Sequence, residues 1–336
     1  MYWFSKSTNK RYYCKILGLQ ECNDLCFTMG EVYDTYDWGV EPEEDWYTIL
    51  NDRAQKIRDS YNYVRLWYSG GADSQTILNV FLRNNIHLDE IGVWRQAPFN
   101  NFTGPGSEEA NEVAIPQLKE IEKLIPKTKI KIYDIGYNEY VNYFKNHFSL
   151  EKTNVMDFRI AYASTIHNII PGINDYENIC NITGLEKPTI GIDEKGVYWY
   201  FVDSTILDHI TDPNSGDYQA PFFMDPMVHS KQCHIVKNYI LKTPGSQAVP
   251  LVTANKVCRD PLYINFSYGK GNRSVLSPKT QLTVNATRRS AAKHLVSDWH
   301  KILDNCSLDK KYFNDGNVLG LLVGMLSEKY YVHLFA

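Results

Sequence analysis

No stretch of this 336-residue chain is apolar for the ~20 residues that a membrane-spanning helix needs. The opening, "MYWFSKSTNKRYY", has no apolar core of the kind a secretion signal carries, so a cytoplasmic protein without membrane contact is expected. Cysteine is sparse and unpaired in pattern. The seven cysteines are odd in number and scattered, and Cys22-x3-Cys26 has no second pair nearby. That excludes a four-cysteine zinc site and a disulfide framework, and reduced thiols are the expectation. Nor is there an excess of positive charge. The formal net charge is −4 and the pI near 6.1, so a domain-wide footprint for nucleic acid is missing.

Apolar residues make up 43% of the chain and charged ones 22%, which excludes intrinsic disorder and a coiled coil. Tyrosine is in excess, with 24 residues. Together with abundant asparagine, this is the composition an A/T-rich coding sequence produces, a viral one among them.

Apolar periodicity orders the first two thirds of the chain. Residues 1–40 alternate apolar and polar positions, as in "RYYCKILGL", and predict a small β-rich lead-in. Between Pro42 and Ser60, the residues Trp46, Ile49, Leu50, Ala54 and Ile57 share one helical face. A strand follows around Val64, Leu66 and Tyr68, then a helix carrying Ile77, Leu78, Phe81 and Leu82. Strands are predicted at 88–96, 129–136 and 179–188, with helices between them, one at about 107–124 that Pro116 either kinks or starts late. Alternation of this kind predicts an α/β fold with a mostly parallel, doubly wound sheet. Further on, "GVYWYFVDS" (196–204) reads as a strand or hairpin arm, and 229–242 and 285–303 as helices. The expected division is a lead-in at 1–60 packed on the core, an α/β domain at 61–205, and a mostly helical C-terminal extension at 206–336, with a soft boundary between the last two.

The chemistry is concentrated in the turn between the first core strand and its helix, Tyr68-Ser69-Gly70-Gly71-Ala72-Asp73-Ser74. Paired glycines let backbone N–H groups approach a ligand with no Cβ in the way. The helix N-terminus adds unpaired donors and a partial positive charge, and Ser69 and Ser74 offer hydroxyls. Asp73 is out of place beside a phosphate unless a divalent cation lies between them, so Mg²⁺ is expected with it. The turn is neither a Walker A loop nor the spaced-glycine loop of dinucleotide folds.

The stretch Ser69–Ser74 resembles the PP-loop signature of the N-type ATP pyrophosphatases, the adenine nucleotide alpha hydrolase-like superfamily. The resemblance covers about residues 60–190. It implies a HUP/PP-loop-type sheet, ATP and Mg²⁺ as ligands, and cleavage of ATP to AMP and pyrophosphate as a substrate oxygen is adenylated for attack by an amine or ammonia. It also implies that Ser69, Gly70, Gly71, Asp73 and Ser74, with Tyr68 leading in, contact phosphate and metal, and that the second strand near Val93 and Trp94 lines the adenine site. A second turn, Thr183-Gly184-Leu185-Glu186-Lys187, matches loosely the glycine-rich acidic segment of asparagine synthetase-like members. There Gly184 would contact the nucleotide, Glu186 orient substrate or metal, and Lys187 balance pyrophosphate, although Lys187 and Pro188 depart from the pattern.

Lys270 in "YGKGNR" and Lys231 in "HSKQCH" are further cations weighed for closure over the phosphates, against a solvated surface position. Arg159 is weighed for the α-phosphate, and Cys233 with His234 as a nucleophilic pair, which their adjacent helical positions disfavour. "TRRSAAKH" (287–294) is a local basic cluster that fits either nucleic acid or a solvated helix face. The sixty residues ahead of the loop are too few for the glutaminase of asparagine synthetase, so ammonia would come from solution, a partner or an amine substrate. The layout is closest to an asparagine synthetase-like synthetase domain, an ATP-dependent ligase. The alternatives are a PP-loop enzyme of sulfur transfer, phosphoadenylylsulfate reductase-like chemistry or nucleobase and tRNA modification, and a non-catalytic ATP-binding sensor or scaffold.

Overall fold

The computed structural model describes residues 2–12, 18, 21–97, 110–136, 177–184, 189–193, 196–202, 218–242 and 329–333. Three short strands, β1 (Tyr2–Ser5), β2 (Arg11–Tyr12) and β3 (Leu25–Thr28), form an antiparallel sheet in the order β2-β1-β3. One turn of helix, α1 (Glu31–Asp34), leads to α2 (Trp46–Ser60). Helix α2 starts later than Pro42 because Asp45 caps it. The Asp45 carboxylate accepts the N–H groups of Tyr47 (2.9 Å) and Thr48 (3.2 Å), a cap contributing about 1 kcal/mol.

The central sheet is built from β4 (Tyr63–Trp67), β5 (Glu90–Ala97), β6 (Lys129–Gly136), β7 (Ile179–Thr183) and β10 (Tyr218–Pro221), in the order β10-β7-β4-β5-β6. Every pairing in it is parallel. Helix α3 (Ala72–Arg83) joins β4 to β5. A π-helical turn (Ala110–Ala114) leads into α4 (Ile115–Ile121) before β6, with Pro116 in the first turn of α4, where its missing N–H costs nothing. The chain thus steps outward from β4 to β6, then returns to place β7 on the other side of β4. The α/β fold with a parallel sheet is as expected, and its strand order reverses between β4 and β7.

Alternation along β4 sorts its side chains cleanly. Val64, Leu66 and Tyr68 enter one core with Leu50, Ala54, Ile77, Leu78, Phe81, Ile91, Ile182 and Phe222. Each fully buried side chain of this kind contributes roughly 1.5–3 kcal/mol. The opposite face is polar at its centre. Arg65 and Glu90 are register partners, both 0% exposed, with Nε to Oε1 at 2.6 Å. The hydroxyls of Tyr63 (2.8 Å) and Tyr133 (2.5 Å) donate to Glu90, and Arg65 donates to Asn181 Oδ1 at 3.1 Å. A one-residue slip of β4 against β5 would turn this ion pair into the apolar core, so the pair helps hold the register.

β10 belongs to the central sheet, and Phe222, Phe223 and Val228 belong to its core. Helix α5 (Pro226–Lys242) packs on α2, which supplies Trp46, Ile49 and Leu50 to the same core. The region after 205 also contributes strands. β11 (Lys329–His333) joins β8 (Thr189–Asp193) and β9 (Gly196–Val202) in an antiparallel sheet ordered β11-β9-β8. No described helix is long and apolar enough to cross a membrane.

Candidate functional site

β4 ends at Trp67, and α3 begins five residues later at Ala72. Gly70 has φ +71°, the left-handed region that side chains avoid. A Cβ there would also lie 2.7 Å from Val113 Cγ1 and 3.2 Å from Ala114 Cα, so the loop rests directly on the π-helical turn. Gly71 caps α3 with no side chain to bond its first-turn N–H groups. The helix therefore presents an N-terminus that a bound anion can complete.

The serines are turned into the loop. Ser69 N–H donates to Ser74 Oγ at 3.2 Å, Gly71 N–H to Ser69 Oγ at 3.4 Å, and Ser74 Oγ–H to Gly71 O at 3.2 Å. These bonds are long, and an anion offering shorter charge-assisted ones competes well with them.

The second glycine turn meets the first. Gly184 follows the last residue of β7, and a Cβ on it would lie 2.9 Å from Asp73 Cβ, 3.0 Å from Ser74 N and 3.1 Å from Asp73 C. The two turns, more than a hundred residues apart in sequence, are thus in contact at the carboxyl ends of adjacent strands. Thr183, the last residue of β7, is 5% exposed, and its Oγ1 has no hydrogen-bond partner among the described residues. Such an atom costs about 1–3 kcal/mol unless something bonds it. In open α/β sheets, ligands bind outside the carboxyl ends of the strands where the order reverses, and that reversal is between β4 and β7 here.

Trp94 lies past the end of β4, which stops opposite Gly92, on the portion of β5 that stays paired with β6. It is half-buried and stacks on Trp67, with ring centroids 5.2 Å apart. Trp67 in turn lies against Gly92, where a Cβ would be 2.7 Å from its ring, and against Tyr133 at 5.4 Å. An aromatic wall therefore flanks the loop on the β5 side.

Tyr68 departs from the expectation that it contacts a ligand. It is 3% exposed within the core, because alternation along β4 turns it to the same face as Leu66. Its hydroxyl lies within hydrogen-bond distance of the Gln75 side chain and 2.6 Å from Gln117 Oε1, and burial pushes its pKa up. Neither glutamine had been singled out, and nothing in the local sequence marks them.

Lys231 is engaged elsewhere, with Nζ on Glu41 Oε1 (3.0 Å) and Pro42 O (2.8 Å). Cys233 is fully buried, with its thiol pKa pushed well up by burial. His234 Nε2 pairs with Trp38 O at 3.0 Å, so the two do not form a nucleophilic pair. Cys180, also buried, has its thiol pushed up to about 12. Glu186, Lys187, Lys270, Arg159 and the cluster at 287–294 lie outside the described residues. Among the described residues, no group of three or more His, Cys, Asp or Glu gathers as a metal cage. No protein-family model matches the chain, and no curated protein matches it.

Proposed function

We propose that the chain is an ATP-dependent enzyme of the PP-loop type, cleaving ATP to AMP and pyrophosphate while adenylating a substrate oxygen for attack by an amine or ammonia. The observation that supports it best is the contact of Gly184 with Asp73 and Ser74. Two glycines make room at the reversal point of a parallel sheet, and a helix N-terminus stands behind them. A pyrophosphate group fits the donors on offer: the first-turn N–H groups of α3, the two serine hydroxyls and Thr183 Oγ1.

In this reading the residues act mainly by placement. The loop backbone and the positive end of α3 hold the departing pyrophosphate, offsetting charge as it develops. Asp73 would hold Mg²⁺, whose chemistry is to neutralise phosphate oxygens. Trp94 offers an aromatic face at the base end. The sulfur-transfer alternative draws no support from Cys180 or Cys233, whose buried thiols stay protonated at neutral pH.

The test is turnover of Mg²⁺–ATP, with AMP plus pyrophosphate resolved from ADP plus phosphate, against panels of carboxylates, amines and nucleic acids. AMP and pyrophosphate formed with one additive class supports the reading and identifies the substrate class. ADP formation refutes it. Binding without turnover transfers support to a nucleotide sensor.

A further inference from the structure

The loop is held from behind as well as facing a crevice in front. Tyr68 precedes Ser69, and its ring is fixed in the core at 3% exposure. Its hydroxyl reaches Gln75, one turn into α3, and Gln117, in α4. Gln75 is fixed in its turn, donating from Nε2 to Asn79 Oδ1 at 3.0 Å. Gln117 also closes on the glycine, since its Oε1 would lie 3.1 Å from a Cβ at Gly70. With its single proton the hydroxyl donates to Gln75, whose Nε2 is held by Asn79, and accepts from the Gln117 amide, so it ties together the strand end, the helix after the loop, and a helix from the next crossover.

The segment carrying Gln117 touches both ends of the site. Val113 and Ala114 of the π-helical turn support Gly70. Asn111, in the same π-helical turn, accepts a bond from Arg95 Nη1 at 3.3 Å, and Arg95 is the residue after Trp94. Arg95 is itself fixed by a two-pronged pair with Asp134, both contacts at 2.6 Å. π-Helical turns replace ordinary α geometry at a cost and occur often at functional sites. Here the turn sets Asn111 and Val113 against two different walls.

We propose that Gln117 is a positioning residue. Through Tyr68 it holds Gly70 in the left-handed conformation that aims the loop at its ligand, and segment 110–121 couples the phosphate end to the Trp94 end. The ligand side of this statement rests on the nucleotide reading above; the brace itself does not.

The experiment is a double-mutant cycle with Gln117→Met, which keeps the side-chain length, and Tyr68→Phe, which keeps the ring. Two quantities are followed on the full chain: backbone hydrogen exchange of peptides spanning 68–76, with α2 (46–60) as internal control, and affinity for Mg²⁺–ATP and for Mg²⁺–pyrophosphate. Each single change is expected to raise exchange at 68–76 roughly three- to tenfold, as loss of one hydrogen bond allows, while α2 is unchanged. The double variant is expected to go no further than Tyr68→Phe alone, because that change already removes the bond to Gln117 together with the one to Gln75. Affinity should fall by a similar factor for both ligands, and kcat less than KM rises. Unchanged exchange at 68–76 in either single variant, or additive effects in the double, overturns the brace. Altered exchange in a protein that binds neither ligand as wild type upholds the brace and refutes the nucleotide reading.

Discussion

Alanine at Gly184 adds one methyl group where the structure has no room for it. Its Cβ would lie 2.9 Å from Asp73 Cβ, 3.0 Å from Ser74 N and 3.1 Å from Asp73 C. Two of these three atoms are backbone in the first turn of α3, so no flexible side chain can swing aside. The helix cannot retreat either, because Ile77, Leu78 and Phe81 anchor it at 0% exposure. The turn at 184 must therefore lift off α3 by several tenths of an ångström. Overpacking of this kind costs about 1–3 kcal/mol, which lowers Tm by roughly 2–4 °C per kcal/mol in a domain of some 150–250 residues. The effect on ligand binding should be larger, since a displacement near 1 Å in a positioned site costs on the order of 100-fold. Mg²⁺–ATP affinity by calorimetry and Tm by scanning calorimetry are measured together. Gly39→Ala serves as control, its nearest neighbour being the single oxygen Asp37 Oδ1 at 3.3 Å. Expected are a loss of tenfold or more in affinity, a Tm drop of a few degrees, and a control close to wild type. A Gly184→Ala protein with wild-type affinity and Tm would refute the argument that this glycine is required for close approach.

Asp73→Ala should abolish Mg²⁺-dependent turnover while leaving Tm within a few degrees; turnover that survives in Mg²⁺ would remove Asp73 from the site. Arg65→Met should cost about 3–5 kcal/mol in urea unfolding, because Glu90 stays buried without its main partner, and adding Glu90→Gln should restore part of the loss. Burial pushes the Glu90 carboxyl up, but bonds from Tyr133, Arg65 and Tyr63 and the Arg65 charge outweigh it and lower its pKa. Its stabilisation is then complete above the ordinary glutamate value of 4.5 and is lost as pH falls below it, so stability measured from pH 7 to 3 should fall less steeply in Glu90→Gln. Cys180, with its thiol pushed up to about 12, should resist alkylation at pH 8 until the protein unfolds; rapid labelling in the native state, seen by mass spectrometry, would contradict its burial.

Local pattern carried much of the fold. The apolar spacing of α2 and α3, the alternation of β4 and β6, and the break at Pro116 are properties of neighbouring residues, and backbone geometry translates them directly into helix, strand and boundary. The turn at 69–74 was legible for the same reason, since two glycines, two serines and an aspartate between a strand and a helix are a local chemical statement. Strand order was not local. That β7 returns to the side of β4, bringing Gly184 onto Asp73 and Ser74, is a contact across more than a hundred residues, and neither turn alone encodes it. The pairing of β10 with β7 is of the same kind, because its backbone bonds leave no mark in the four residues of β10.

The side to which Tyr68 points also came from tertiary structure. Next to a glycine loop it reads as a ligand contact, yet the alternation of β4, anchored by the buried Arg65–Glu90 pair, turns it into the core. There it meets Gln117, a residue whose own neighbourhood is that of an ordinary helix surface. The sequence by itself therefore determined which elements form and where a glycine turn opens onto a helix N-terminus. Only the packed sheet decided which distant residues meet that turn, because contact between segments far apart in the chain is set by strand pairing and core packing.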